Sequence, residues 1–168
     1  MRDLDWIKDL VEAEQKMEES GMIDFTAGYN PDEALKTETV KFLNQIKELF
    51  IDYATVFNKY RGLAVGGVKI YGISKTQADF MLFRNGFKLF FIMEKPGTIT
   101  IRSQFHGAEY APGSALSAPQ IDSLGPDEYI EARWGAFGAI IWTHQELEVR
   151  QENLVKFHFT KFVRESSK

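Results

Sequence analysis

With 168 residues, 44% hydrophobic and 26% charged, the chain has ordinary globular composition and too much apolar material for disorder. It contains no cysteine, which excludes disulfides, thiolate metal sites and Cys nucleophiles and fits a reducing, cytoplasmic setting. No uncharged apolar run approaches the ~20 residues of a membrane span, and no basic-then-apolar leader follows Met1, so the expectation is a soluble, unprocessed chain with no membrane partner.

Residues 3–19 space Leu4, Ile7, Leu10 or Val11, and Met17 along one helical face, with Trp6 beside them and Gly21 as a stop. This predicts an amphipathic helix. A second helix has a sharper start: Asn30 can cap, Pro31 suits the first turn, and Glu33 stands where a capping-box carboxylate reaches back. Leu43, Ile46, Phe50, Tyr53, Phe57 and Tyr60 then recur at helical spacing, with Phe42, Leu49 and Val56 as a second stripe and Gly62 at the end. Such a face is too wide for a coiled-coil seam, so the helix is expected to pack on a sheet. The weaker pattern over 36–39 suggests a bend or restart.

From residue 63 the period becomes two. Val68, Ile70 and Gly72 alternate with Lys69, Tyr71 and Ile73. Residues 79–84 and 87–93 then flank Asn85-Gly86, the dipeptide of a type I′ hairpin, which sets Phe80 opposite Phe91, Leu82 opposite Leu89 and Arg84 opposite Phe87. Pro96-Gly97 reads as a type II turn into 98–105, pairing Lys95 with Thr98, Met93 with Thr100 and Ile92 with Ile101. In that register the core face carries Met81, Phe83, Phe90, Ile92, Ile99, Ile101 and Phe105. The other face carries Phe80, Leu82, Phe87, Leu89, Phe91 and Met93 but ends in Thr100, Arg102 and Gln104.

An apolar second face of that size needs cover, from the C-terminal segment, the N-terminal helices or another subunit. Phe80, Leu82, Phe87, Leu89 and Phe91 are therefore the interface candidates. Residues 106–127, with three Pro, three Gly and three Ser, read as a long loop. Two more strands follow over 128–134 and 135–143. The stretch 149–164 fits strand or helix; helix is preferred, with Thr143 and Glu146 as its capping box. The sum is one α+β domain over 1–168: helices in 1–62, an antiparallel sheet of five or six strands in 63–143 built on the 85–86 hairpin, and a C-terminal helix in 144–168.

Motifs with definite chemistry are absent. There is no glycine-rich phosphate loop, nucleophile elbow, HExxH or EF-hand pattern, and Gly66-Gly67 lacks the further glycines of a phosphate cradle. His106 with Glu109 is the one local imidazole–carboxylate spacing, with Ser114 and Ser117 nearby, but two donors are too few for a metal. No catalytic residue, metal or cofactor is assigned, and His158, on an apolar helical face, reads as a hydrogen-bonded core residue.

Charge is uneven: residues 1–60 hold 7 Lys+Arg against 13 Asp+Glu, 61–105 hold 7 against 2, and 106–168 hold 6 against 9. The basic middle places Arg84, Lys88 and Arg102 among aromatic residues, a combination that single-stranded nucleic acids favour. The string 84–91 resembles the aromatic strand motif of RNA-recognition sheets, yet its glycine lies in a hairpin turn, and Lys88 and Leu89 stand where that motif has small and apolar residues. The first reading is a non-enzymatic binding or assembly module, self-associating or meeting a protein partner through its sheet or helical surface. The second is single-stranded nucleic-acid binding through the basic sheet. The third is a small enzyme with a pocket under the 106–127 loop.

Overall fold

Two short-range signals, a capping asparagine and a left-handed glycine, bound the helices at the front of the chain. The computed structural model describes residues 4–23, 30–62, 66–106 and 121–167, with backbone alone at 121 and 122. Helix α1, Asp5–Ser20, ends on Gly21 at φ 69°, whose N–H bonds Met17 O. Helix α2, Pro31–Arg61, begins on Asn30, whose side chain accepts the N–H groups of Asp32 and Glu33. The expected bend at 36–39 does not occur. Thr39 is fully buried there, donating its hydroxyl to Leu35 O at 2.7 Å and accepting the Gly97 N–H at 2.9 Å, so the helix continues and is tied to a turn of the sheet.

The strands are β1 Lys69–Gly72, β2 Phe80–Arg84, β3 Phe87–Lys95, β4 Thr98–His106, β5 Ile121–Ser123, β6 Glu128–Trp134, β7 Ile140–His144 and β8 Leu147–Glu148, followed by helix α3, Gln151–Glu165. All pairings are antiparallel, in the order β1-β2-β3-β4-β6-β7-β8, with β5 beside β4. The architecture is the expected α+β, but the five or six strands become eight through the short β5 and β8. β5 falls inside the stretch read as a loop. It takes Gln104, Phe105 and His106 while β6 takes Thr98 to Ile101, and the Leu124 N–H reaches Ser103 O between them, so β5 and β6 form one interrupted strand along β4.

The Asn85-Gly86 turn has φ 51° and 83°, and a Cβ at Gly86 would stand 2.7 Å from His106 O. Only glycine fits. The β2–β3 register is the expected one at all five pairs, but the β3–β4 register is corrected. Lys95 pairs with Thr98, then a bulge at Glu94 sets Met93 opposite Ile99, Ile92 opposite Thr100 and Phe91 opposite Ile101. Because side chains alternate along a strand, one extra residue transfers each later side chain of β4 to the other face. Ile99 and Ile101 therefore join Leu82, Leu89 and Phe91, while Thr100 and Arg102 join Phe83, Phe90 and Ile92. Side chains hold the bulge: Glu94 accepts the Thr100 hydroxyl at 2.9 Å, and Asp79 accepts the Met93 N–H at 2.9 Å. Burial raises the Asp79 pKa, and that backbone bond opposes the shift.

The core lies between the Phe80–Leu82–Leu89–Phe91 face and helices α2 and α3. Phe50 of α2 stands 5.0 Å from Phe91 and 5.9 Å from Phe80, and Phe80 stacks on Phe91 at 5.0 Å. Burying each such ring contributes ~1.5–3 kcal/mol, and pairing adds ~0.5–1.5 kcal/mol. Tyr53 and Phe57 meet Phe159 edge-on, joining α2 to α3. The C-terminal helix starts at Gln151, not near Thr143. Gln145 and Glu146, at φ 50° and 69°, instead make a tight β7–β8 turn, and the Thr143 hydroxyl donates to Glu131 O. Among the described residues no helix is long and apolar enough to cross a membrane.

Candidate functional site

The chain covers its own apolar face. Phe80, Leu82, Leu89 and Phe91 are buried beneath α2 and α3, and Phe87 is half-buried with its ring 4.5 Å from Phe105. Four of the five interface candidates are therefore core residues and Phe87 packs against that core, and the bulge brings Ile99 and Ile101 to their side.

The three cations do not converge either. Arg84 is 2% exposed. Its guanidinium donates to Gly66 O at 2.7 Å, Val163 O at 3.0 Å and Ser166 Oγ at 3.3 Å and lies 5.2 Å from the Phe57 ring centroid. It ties the hairpin to the last carbonyls of α3, where a cation suits the helix dipole. Burial lowers its pKa, and the nearby Arg61 charge adds to this. Arg102, on the outer face, is clasped by Asp127 through bonds of 2.9 and 3.2 Å, which raise its pKa. Lys88 alone is half-buried on the outer face with no ion pair among the described residues. His106 closes β4, its N–H on Gly86 O; Glu109, Ser114 and Ser117 lie outside the described residues.

Two features remain open. The outer sheet face presents Met81, Phe83, Phe90 and Ile92, half-buried and outside the core built with α2 and α3. The register sets Phe83 between Lys69 and Lys88. Helix α1 is acidic, with six Asp and Glu against two Lys, and leaves Leu4, Trp6, Ile7, Leu10 and Val11 exposed.

The second feature is a cleft of about 380 Å³ between α3 and the β6–β8 side of the sheet. Ile130, Leu147, Val149, Leu154 and Phe157 wall it, with Glu128, His144 and His158 among them. His158 is 8% exposed, edge-on to Phe91 at 6.0 Å and to Phe157 at 5.1 Å. Its Nε2 lies 3.5 Å from Glu128 Oε2, too long for a good hydrogen bond. Burial pushes its pKa down to about 4; Glu128 pulls it up without compensating, and Lys161 and His144 press it lower. The ring is neutral at pH 7. His144 Nδ1 lies 2.9 Å from Tyr129 O, so in the neutral ring Nδ1–H donates and Nε2 is left as an acceptor. The His158–Glu128 pair also lines a crevice of about 20 Å³, room for one water.

The chain matches no protein-family model, no curated protein and no solved structure. The site must be judged on its own chemistry. An imidazole of pKa about 4 is a weak base at neutral pH, so the cleft is better suited to holding a ligand than to abstracting a proton. Among the described residues no group of three or more His, Asp or Glu is placed to hold a metal ion.

Sequence reasoning treats His158 only as a core residue and does not bring it together with Glu128 and His144. Glu128 and His144 are set against it by the packing of α3 on the sheet. The one sequence signal is a titratable side chain on an otherwise apolar helical face.

Proposed function

We propose that this protein is a non-enzymatic binding and assembly module whose copies associate through the outer sheet face, in a reducing, cytoplasmic setting consistent with its lack of cysteine. The observation that carries the reading is the apolar strip of Met81, Phe83, Phe90 and Ile92, which lies outside the core and which the bulge at Glu94 leaves without Ile99 and Ile101. A contiguous apolar strip that is only partly covered is uncommon on a solitary domain. The occupant we favour is α1 of a second copy: its exposed apolar side matches the strip, and its acidic side matches Lys69 and Lys88. The nucleic-acid reading has less support, since Arg84 is internal and Arg102 is held by Asp127.

Light scattering over a concentration series tests this directly. Association of the native chain is expected, with loss in Phe83→Glu and Phe90→Glu variants that keep the native melting temperature, since neither ring belongs to the core. A strict monomer at high concentration, or variants that associate like the native chain, would refute it.

A further inference from the structure

We propose that the cleft between α3 and β6–β8 binds a small amphipathic cation, a protonated amine on an aromatic or aliphatic body. The inference is independent of self-association.

The cleft, about 380 Å³, lies within the range of small-molecule sites. Its apolar lining is aliphatic apart from Phe157, a largely exposed ring of the kind that attracts a cation. Most of the polar groups lining it can accept hydrogen bonds, Glu128, Glu148, His144 and His158, while Asn153 and Arg150 are the ones that donate. Among the described residues the Glu128 carboxylate meets only the His158 imidazole, at 3.5 Å, and with its side chain 35% exposed it is open to a ligand. The tautomer of His158 that points its proton at Glu128 leaves Nδ1 as an acceptor, with no hydrogen bond to it among the described residues. His144 presents a further acceptor nitrogen once its Nδ1–H is given to Tyr129 O. Glu148 adds negative charge, and Arg150 is the single permanent cation lining the cleft. A carboxylate ligand would meet Glu128 and Glu148. An ammonium would meet two carboxylates and imidazole nitrogens, and its apolar body would cover Leu154 and Ile130.

The experiment uses benzylamine, benzyl alcohol and benzoate as probes on the full chain at pH 7, with calorimetry for affinity and imidazole NMR resonances for location. Benzylamine is expected to saturate with a Kd on the order of 1 mM, as suits so small a ligand, and to shift the His158 and His144 resonances. Benzyl alcohol should bind more weakly and benzoate not at all. Glu128→Gln should weaken benzylamine about tenfold, the loss of one charge-assisted contact. Leu147→Lys, at a wall residue 75% exposed and therefore harmless to folding, should weaken it by like-charge repulsion. Benzoate binding as well as benzylamine, unchanged affinity in both variants, or no binding by any probe would overturn the proposal.

Discussion

Acidification should weaken this protein through one imidazole. His158 binds its proton at about 4 in the folded chain against an ordinary value of 6.5. Between those values the unfolded chain binds more protons. The stability contributed by the neutral buried ring is therefore complete above pH 6.5 and drains away as the pH falls toward 4. At 1.36 kcal/mol per pH unit, the gap amounts to about 3 kcal/mol, most of which is lost by pH 4.5. That is a large part of the ~5–15 kcal/mol that stabilises an ordinary domain.

Glu128 faces the ring and limits the loss; Lys161 and His144 enlarge it. Asp79 works in the opposite sense, because its folded pKa lies above the ordinary value and protonation at low pH favours the native state. Urea unfolding at half-unit steps from pH 7.5 to 4.5 measures the effect, with His158→Gln as the non-titrating control. The native midpoint should fall through this window and the variant's should stay nearly level. Parallel profiles would mean that the ring is neither as dry nor as confined as its packing between Phe91 and Phe157 implies.

Two further perturbations test other parts of the fold. Arg84→Ala removes bonds of 2.7 and 3.0 Å from a charged donor and strands the Gly66 and Val163 carbonyls; the expected cost is ~3–5 kcal/mol, a fall of about 6–20 °C in calorimetric Tm. A variant melting within a degree or two of the native protein would deny Arg84 its structural role. Phe137 sits at φ 56° on the tip between β6 and β7 with its ring fully exposed, so Phe137→Gly should relieve ~1–2 kcal/mol of left-handed strain against ~0.5–1 kcal/mol of glycine entropy. Thermal melting should rise slightly; a clear fall would show that the ring has a partner.

The local features are legible because their causes lie within a few residues. Asn30 with Pro31 announces α2, Gly21 stops α1, and Asn85-Gly86 fixes both a turn and five strand pairs. The β7–β8 turn is hidden because Gln145 and Glu146 are not the residues that left-handed backbone favours. The cleft is hidden for a different reason. Glu128 and His158 sit 30 positions apart in the sequence, on a strand and a helix whose contact depends on how α3 settles on the sheet. Arg84 misleads in the same way, since a cation among phenylalanines looks like a surface until the α3 C-terminus supplies its acceptors.

The bulge at Glu94 is where composition could have outweighed the simplest register. On β3, Lys88 and Glu94 bracket Phe90 and Ile92 on one parity, whereas Leu89, Phe91 and Met93 on the other carry no charge at all. On β4, Thr100, Arg102 and Gln104 share a parity, and Ile99 and Ile101 hold the opposite one. A dry interior accepts only the uncharged sets, so Ile99 and Ile101 must stand with Leu89 and Phe91. The Pro96-Gly97 turn and the Lys95–Thr98 pair, continued without interruption, set them with Phe90 and Ile92 instead. The two requirements are compatible only if one residue between Met93 and Thr98 has no partner across the ladder. Glu94 is that residue, and its carboxylate is then free to take the Thr100 hydroxyl on the outer face.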